Sequence, residues 1–503
     1  MPESISTDVL IIGAGAAGIR AALAASEAGA DVMVVADGPA AVAGSTFSPI
    51  ARGWGIQALV GSERTDCNLE YLYNEIIRIG LGRCDPKLVR ILVEESGQRV
   101  EDLLSYGVRF KKDADGEYIR VKGCFSKVER AYITDDFQIL KQSFKSRLSD
   151  SNIKFLKGRI VDLITEDQSC WGAWIHTEAC QLVQINAHST ILATGGGAGI
   201  FSDNLVGSSE EGDGYAIAHR AGAELSNLEF IQFMIGLKQD GTRRFFPIPA
   251  LEKTNTLMNS LGQDILEKYT PDIETRQRAV KDKLAHAPFS CRDMSHVLDT
   301  SIARERMYGR KIHFHSDDSR DQPKVVHFAH AFNGGIVIDE HGESTVAGLY
   351  AAGEVAAGPH GADRVGGCMM TATQVFGERA GRFAALRAKS IRARSVTRKT
   401  PHLIKRIINQ SVNSRKDNEL KELSGKIRYI FSENLMILRS RQGLSACLRE
   451  INETDAFVDK IGDMNQLDRL HFKDMLITMQ LIASSALNRE KSLGSHYRTD
   501  SIP

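Results

Sequence analysis

The sequence predicts an α/β protein, and three observations near its start predict it. Residues 8–12 (DVLII) are a short apolar run ending at glycine, as a buried parallel strand does. GAGAAGIRAALAASEAGA then turns and continues as an alanine-rich helix closed by Gly29. DVMVV, residues 31–35, supplies the next strand, so the chain opens on a βαβ unit. Its first turn carries Gly13, Gly15 and Gly18, a G-x-G-x-x-G set between strand and helix. Such glycines allow a tight turn and let a pyrophosphate approach the helix N-terminus beside Ala16. An acidic residue that holds the ribose would end the second strand. That position is Ala36, which leaves Asp37, one residue later, as the candidate.

Two further junctions repeat the pattern. STILATGGGAG (189–199) is an apolar strand running into glycines, with Ala193, Thr194 and Gly195 at the turn. GLYAAGEVAAGPHGADRVGG (348–367) is a short strand followed by Gly353-Glu354 and a loop. Junctions spread from residue 13 to residue 367 predict one Rossmann-like domain interrupted by an insertion. The insertion, about 235–325, holds five of the twelve prolines and reads as mixed structure. After about residue 385 the chain becomes helical in pattern and basic, and the run RAKSIRARSVTRK reads as a solvated helix and linker.

Composition narrows the function classes. Lys plus Arg and Asp plus Glu both number 63, so bulk charge gives no nucleic-acid footprint. The eight cysteines are scattered without a CxxC pair, which excludes a zinc ribbon or a ferredoxin-type cluster of the chain's own. Scattered thiols in a chain of 503 residues read as reduced and cytosolic. The first apolar run has no basic region before it and meets Arg20 too soon to span a bilayer. The expectation is a cytoplasmic protein without a direct membrane span.

In HGADRVGG, residues 360–367, Arg364 is a permanent cation set among glycines and small residues. A guanidinium forks onto a carboxylate, and flanking glycines let a ligand come close.

Motifs in order along nearly the whole chain resemble the flavoprotein subunits of fumarate reductase and succinate dehydrogenase, and their relative L-aspartate oxidase. They are GAGAAG, ATGGGAG, GDGYAIAHRAGAELSNLEFIQF (212–233), HAFNGGIVID (330–339), GLYAAGEVAAGPHGADRVGG, LRSRQGLSACL (438–448) and NREKSLGSHYRTD (488–500). The resemblance implies FAD and a three-part build. An FAD-binding domain (1–234 and 326–385) is interrupted by an α+β capping domain (235–325) and followed by a helical domain (386–503). Succinate dehydrogenases bond flavin covalently to an early histidine. The matching stretch, AVAGSTFSPIARGWGIQA (41–58), contains no histidine, which implies non-covalent FAD.

By the same resemblance Gly13, Gly15 and Gly18 cradle the pyrophosphate, and Gly44, Ser45 and Thr46 lie along the flavin edge. Asp213 and Glu354 fall on positions that hold the cofactor. Carboxylates beside glycine at a strand end also suit ribose or ribityl hydroxyls. Asp213 has a plainer reading as a helix N-cap. Met369 and Met370 follow the glycines where relatives commonly carry polar residues, so the flavin's pyrimidine side is expected to differ.

Three positions match the family's catalytic set. Arg292, in SCRDMS, matches the proton-donating arginine, His330 a substrate-binding histidine, and Arg364 the carboxylate clamp. Two departures stand against a simple transfer. The family's histidine after QF, which binds the second carboxylate, is Met234, and a thioether cannot donate a hydrogen bond. The family's glycine-rich, acid-containing segment is replaced by FFPIPALEKTNTLMNSLGQDI. Fumarate or succinate and another unsaturated or α-substituted carboxylate therefore both stay open. So do an L-aspartate oxidase-like activity and an electron-transfer role with an altered substrate pocket. The implied partners are a small carboxylate and an iron–sulfur or other electron-transfer subunit, through which membrane association would come.

Overall fold

A computed structural model describes residues 3–48, 53–206, 210–252, 256–315, 322–391, 417–462 and 464–501. Most of the basic run at 387–399, and residues 49–52 of the stretch expected along the flavin, lie outside them.

The first sheet is built around Glu3–Ile12, which pairs parallel with Val32–Ala36 on one side and Leu182–Leu192 on the other. Lys154–Glu166 continues it beyond Val32–Ala36, and Leu349–Ala351 beyond Leu182–Leu192. Ser169–Thr177 joins Lys154–Glu166 to Leu182–Leu192 in antiparallel fashion. Val9, Leu10 and Ile11 are fully buried, as expected for a parallel strand covered on both faces. One cover is the helix Ala16–Glu27, whose alanines pack against those of the helix Cys368–Ser390. Small side chains let the two backbones come close, which brings both helix N-termini to the same edge of the sheet.

The second sheet is antiparallel, in the order Thr242–Phe245, Ile231–Gln239, Lys324–Phe332, Ile312–His315, Thr256–Asn259. It has its own apolar core with the insertion's helices, from Leu257, Ile265, Leu298 and Ile302. Buried beside that core, Asp299 accepts from Lys283 at 2.7 Å and pairs with His327 at 3.0 Å. The sheet's central strands, Ile231–Gln239 and Lys324–Phe332, run through residues 234–235 and 325–326, where the insertion was expected to begin and end. Gln232, Met234 and His330 therefore stand on rigid strands at the seam between the two sheets.

Three helices follow, Asp417–Leu435, Arg441–Lys460 and Gln466–Asn488. They are pinned to the first domain by polar contacts as well as apolar ones. Thr478 Oγ1 donates to the Gly212 carbonyl at 2.7 Å. Arg439, fully buried, donates to the Glu229 carbonyl and to His496 Nδ1, each at 2.7 Å. The chain's last segment folds back so that the Gly494 carbonyl accepts from the Cys291 amide at 2.8 Å, next to Arg292. Among the described residues no helix is long and apolar enough to cross a membrane.

Candidate active site

One cavity of about 480 Å³ runs along the edge of the first sheet to the seam with the second. Its first wall is the βαβ turn, with Gly13, Gly15 and Ala16 on the surface. Gly13 has φ 110°, and a Cβ there would lie 2.2 Å from the Ala193 carbonyl oxygen, so only glycine fits. Gly18 does not line the cavity. It sits inside the helix, where a Cβ would meet the Gly13 carbonyl at 2.0 Å, and so it serves packing. The helix Ala16–Glu27 has no side-chain cap at Gly15, which leaves its N-terminal amides facing the cavity. One of them, Ala16, donates to Thr46 Oγ1 at 3.2 Å.

A second uncapped N-terminus opens on the same cavity. The helix Cys368–Ser390 starts at Gly367, and Gly367, Met369 and Met370 are wall residues. Ala193, Thr194 and Gly195 line the space between, with Gly44, Ser45 and Thr46 opposite the first turn. Thr194 Oγ1 is buried without a protein partner.

Carboxylates punctuate this half. Asp37 lines the wall near Arg159, a residue that sequence reasoning did not single out. Arg159 lies 3.4 Å from Asp213 and 3.6 Å from Glu211. Asp213 is the first residue of its helix and Gly212 occupies the N-cap, so the plain capping reading of Asp213 does not hold. Burial raises its pKa, and Arg159 opposes the rise. Glu210 was also missed, although it stands in the EEGDG stretch just before the helix. It accepts from the Ser45 amide at 2.7 Å and the Ser45 hydroxyl at 2.5 Å. Glu354 accepts from the Phe332 amide at 2.9 Å. Burial, reinforced by the nearby Glu210, pushes Glu354 up to about 8, so its carboxyl is neutral at pH 7 and can donate a hydrogen bond.

At the seam, His330 and Arg364 face the cavity with Gln232, Met234, Phe245 and Pro288. The register between the central strands slips where Gln232 pairs with Ala331 and Phe233 with Ala329. His330 is the extra residue of that bulge, which turns its ring to the cavity. Phe245 meets the ring edge-on at 5.8 Å between centroids. Burial first, and then Arg364, lower His330 to about 4, so the imidazole is neutral at pH 7.

Arg364 is 8% exposed. One guanidinium nitrogen donates to Gln232 Oε1, while Nε has no protein partner. Among the described residues it forms no salt bridge, although a buried guanidinium is costly without an anion. His360, another residue the sequence reading passed over, lies buried with both ring nitrogens unpartnered, and burial together with Arg364 lowers its pKa well below the usual value.

Arg292 stands apart from these groups. Its Nε donates to Asp363 at 2.8 Å and its Nη2 to the Ile79 carbonyl at 2.7 Å. The guanidinium lies over the Phe125 ring at 5.1 Å, and Arg292 is not among the residues that line the cavity. Asp363 also accepts from Ser290 at 2.7 Å. The structure thus brings His330 and Arg364 to the cavity and holds Arg292 on Asp363 and Ile79, outside its lining. Among the described residues no cluster could hold a metal ion.

Comparison with known proteins adds the following. A family model described as FAD binding domain matches residues 8–370, and one described as fumarate reductase flavoprotein C-term matches residues 425–502. The chain is 32% identical to one component of the fumarate reductase (CoM/CoB) of Methanothermobacter marburgensis, over 99% of this chain and 95% of that protein. It is 27% identical to an L-aspartate oxidase of Streptomyces coelicolor, over 99% and 89% of the two chains. A solved E. coli quinol fumarate reductase shares the fold with a TM-score of 0.79 at 21% identity, covering 99% of this chain and 92% of that one.

The wall suits FAD. Two helix N-termini without side-chain caps would suit the anionic pyrophosphate and electron-rich carbonyl groups of such a cofactor. Thr194, Asp213 and neutral Glu354 answer its uncharged hydroxyl and carbonyl groups.

Proposed function

The chain belongs to the fumarate reductase and succinate dehydrogenase flavoprotein family and is an FAD-dependent oxidoreductase; from that premise we propose that its cavity interconverts a carboxylate substrate between saturated and unsaturated forms. The observation that carries this reading is Arg364, a buried guanidinium with an open Nε and no carboxylate of its own. A substrate carboxylate would supply the missing anion and accept a charge-assisted fork. When bound, FAD supplies two-electron hydride chemistry. Arg364 grips the carboxylate, Gln232 holds the guanidinium in place, and neutral His330 donates one N–H to the substrate. Met234, Phe245 and Pro288 offer the reacting carbons an apolar surface.

Arg292 is proposed as the proton donor, with Asp363 as its charge partner. Its family position and its pairing with Asp363, the neighbour in sequence of the lining residue Arg364, support the role. The transfer requires the loop that carries it, 286–293, to move toward the cavity. A charged donor kept against Asp363 until closure would also avoid an unpaired buried cation in the open site.

A second reading is an electron-transfer flavoprotein subunit, favoured by Met234 and by Arg292 being turned to Asp363. An iron–sulfur or other electron-transfer subunit would then be its partner. A third, aspartate oxidation to hydrogen peroxide, follows only from the similarity to L-aspartate oxidases.

The test is anaerobic. The bound flavin is reduced with dithionite, and its absorbance band near 450 nm is followed as unsaturated carboxylates are added. Reoxidation by any of them supports the proposal. FAD bound without reoxidation by any carboxylate supports the electron-transfer reading, and peroxide formed with aspartate in air supports the third.

A further inference from the structure

We propose that the substrate is an α,β-unsaturated monocarboxylate with an apolar alkyl or aryl group on its β carbon, gripped at one end by Arg364 and seated at the other against Met234, Phe245, Leu205 and Pro288. This deepens the preceding reading and rests on it.

The argument begins with a count of cations. A dicarboxylate brings two negative charges, and each one that leaves water on binding needs a cation or several donors. Among the described residues two arginines line the cavity, Arg159 and Arg364. Arg159 is already paired with Asp213 and Glu211, on the wall it shares with Asp37. The neighbouring cations are committed elsewhere. Arg243 donates to the Asn204 carbonyl at 2.8 Å and to its side chain at 3.1 Å. Arg292 is held by Asp363 and the Ile79 carbonyl. Of these arginines only Arg364 keeps an unpartnered nitrogen, Nε, and among the described residues that line the cavity its guanidinium is the one without a carboxylate, so the seam offers full positive charge to one carboxylate.

The second observation is the surface that a second carboxylate would touch. Met234 follows Gln232 by two residues on the strand Ile231–Gln239, so both side chains reach the cavity from one face. Pro288 bridges to Met234 across the seam, and Phe245 stands edge-on to His330 from the neighbouring strand. Leu205, anchored by its amide to the Ala329 carbonyl at 3.0 Å, extends the same surface. A carboxylate laid there would lose hydration and meet no donor from Met234, Phe245, Leu205 or Pro288. A methyl or phenyl group would lose only unfavourable contact with water, at about 25 cal/mol per Å² buried.

The chemistry balances on these groups. The carbon β to the carboxylate receives a hydride and the α carbon a proton, and the C=C π bond becomes a C–C single bond. The acid gains two electrons, which come from the reduced flavin, and the proton comes from the Arg292 side. Arg364 on the carboxylate polarises the double bond toward hydride addition at the β carbon, which is the end against the apolar surface.

The test compares crotonate, cinnamate and fumarate as anaerobic oxidants of the dithionite-reduced holoenzyme. It also compares 3-phenylpropanoate with succinate in calorimetric titrations of the oxidised holoenzyme. The expected result is reoxidation by crotonate or cinnamate at least about tenfold faster than by fumarate, with 3-phenylpropanoate bound tighter than succinate. The variant Met234→His should shift the cinnamate-to-fumarate ratio toward fumarate by about tenfold or more. Equal or faster reoxidation by fumarate in the unaltered protein overturns the monocarboxylate assignment and leaves the proposed function standing. Failure of all three acids with FAD bound overturns the monocarboxylate assignment, and failure of every unsaturated carboxylate tried overturns the proposed function as well. An unchanged ratio in a folded, flavin-loaded Met234→His protein overturns the apolar seat.

Discussion

The two ends of the cavity are built by different rules. At the first-sheet end much of the wall is glycine and alanine, from Gly13 to Ala16, Ala193 to Gly195 and Gly366 to Gly367, and each piece sits at the end of a strand or the start of a helix. At the seam the wall is side chains, carried by strands of the second sheet and by the loops at 286–293 and 360–367. Backbone recognition ties the first end to one kind of ligand, because altering it means altering the turn. Side-chain recognition lets the seam change one residue at a time, as Met234 in place of a histidine illustrates. The cofactor is thus set by the fold, and the substrate by a handful of replaceable groups.

The sharpest way to break this contrast is Arg364→Met. If Arg364 serves the substrate and not the fold, substrate-driven reoxidation should fall by about two to three orders of magnitude, as when one partner of a buried charge pair is removed. Thermal stability without substrate should stay level or rise, since an apolar side chain replaces a buried charge that has no anion. Stopped-flow reoxidation and thermal melts on the same preparation decide it. A large loss of stability with activity retained would mean that Arg364 is a structural pin.

Next in size is Arg292→Lys, read by turnover and by flavin absorbance. A general acid contributes about 10²–10⁴-fold, and lysine cannot reproduce the fork to Asp363 and the Ile79 carbonyl. Turnover should drop by about a hundredfold or more while FAD stays bound with an unchanged spectrum. Retention of most activity would confine Arg292 to bracing the 286–293 loop against Asp363.

The same contrast explains what the sequence revealed. Gly13, Gly15 and Ala16 were legible because a tight turn against a neighbouring strand admits few residues, and 2.2 Å to the Ala193 carbonyl leaves no room for a Cβ. The FAD-binding fold and the helical domain after it were legible for the same reason, since their motifs describe backbone paths. Glu210 was not, because its role arises only when the chain folds it onto Ser45, 165 positions away. Arg159 faces Asp213 from a strand whose sequence, KFLKGRIVDLITE, carries no motif. The withdrawal of Arg292 depends on Asp363 and Ile79, which are distant in sequence and meet only through the insertion's return loop.

A smaller effect is expected from Ser45→Ala at the cofactor end. Glu210 would lose its hydroxyl partner but keep the Ser45 amide, so a buried carboxylate stays partly satisfied. FAD affinity should weaken by about fivefold, the scale of one hydrogen bond of about 1 kcal/mol. Fluorescence titration of the flavin-stripped protein measures it. The seam should be untouched, so the ratio of turnover with different acids should not move. A changed ratio would mean that the two ends are coupled and that their separation into cofactor and substrate walls is too simple.

A last effect lies in the pH dependence of stability, and its sign follows from Glu354. In the folded protein its carboxyl is pushed up to about 8, chiefly by burial, whereas an unfolded glutamate titrates near 4.5. Between those values the native state holds a proton that the unfolded state has released. The native contribution is therefore fully present below about 4.5 and is lost as pH rises through about 8. Glu354→Gln keeps a neutral group of similar shape that cannot ionise. In the flavin-stripped protein the variant should melt close to the wild type at pH 5 and gain relative to it steadily by pH 8.5. His330 acts in the opposite direction and in another window. Its folded value near 4 is depressed, so it lowers stability as pH falls from about 6.5 toward 4 and is silent above. Melts of the two proteins at pH 7 and above thus isolate the carboxyl. Parallel curves across that range would mean that Glu354 is already ionised at neutral pH. The cofactor end would then present a charged acceptor in place of a neutral donor.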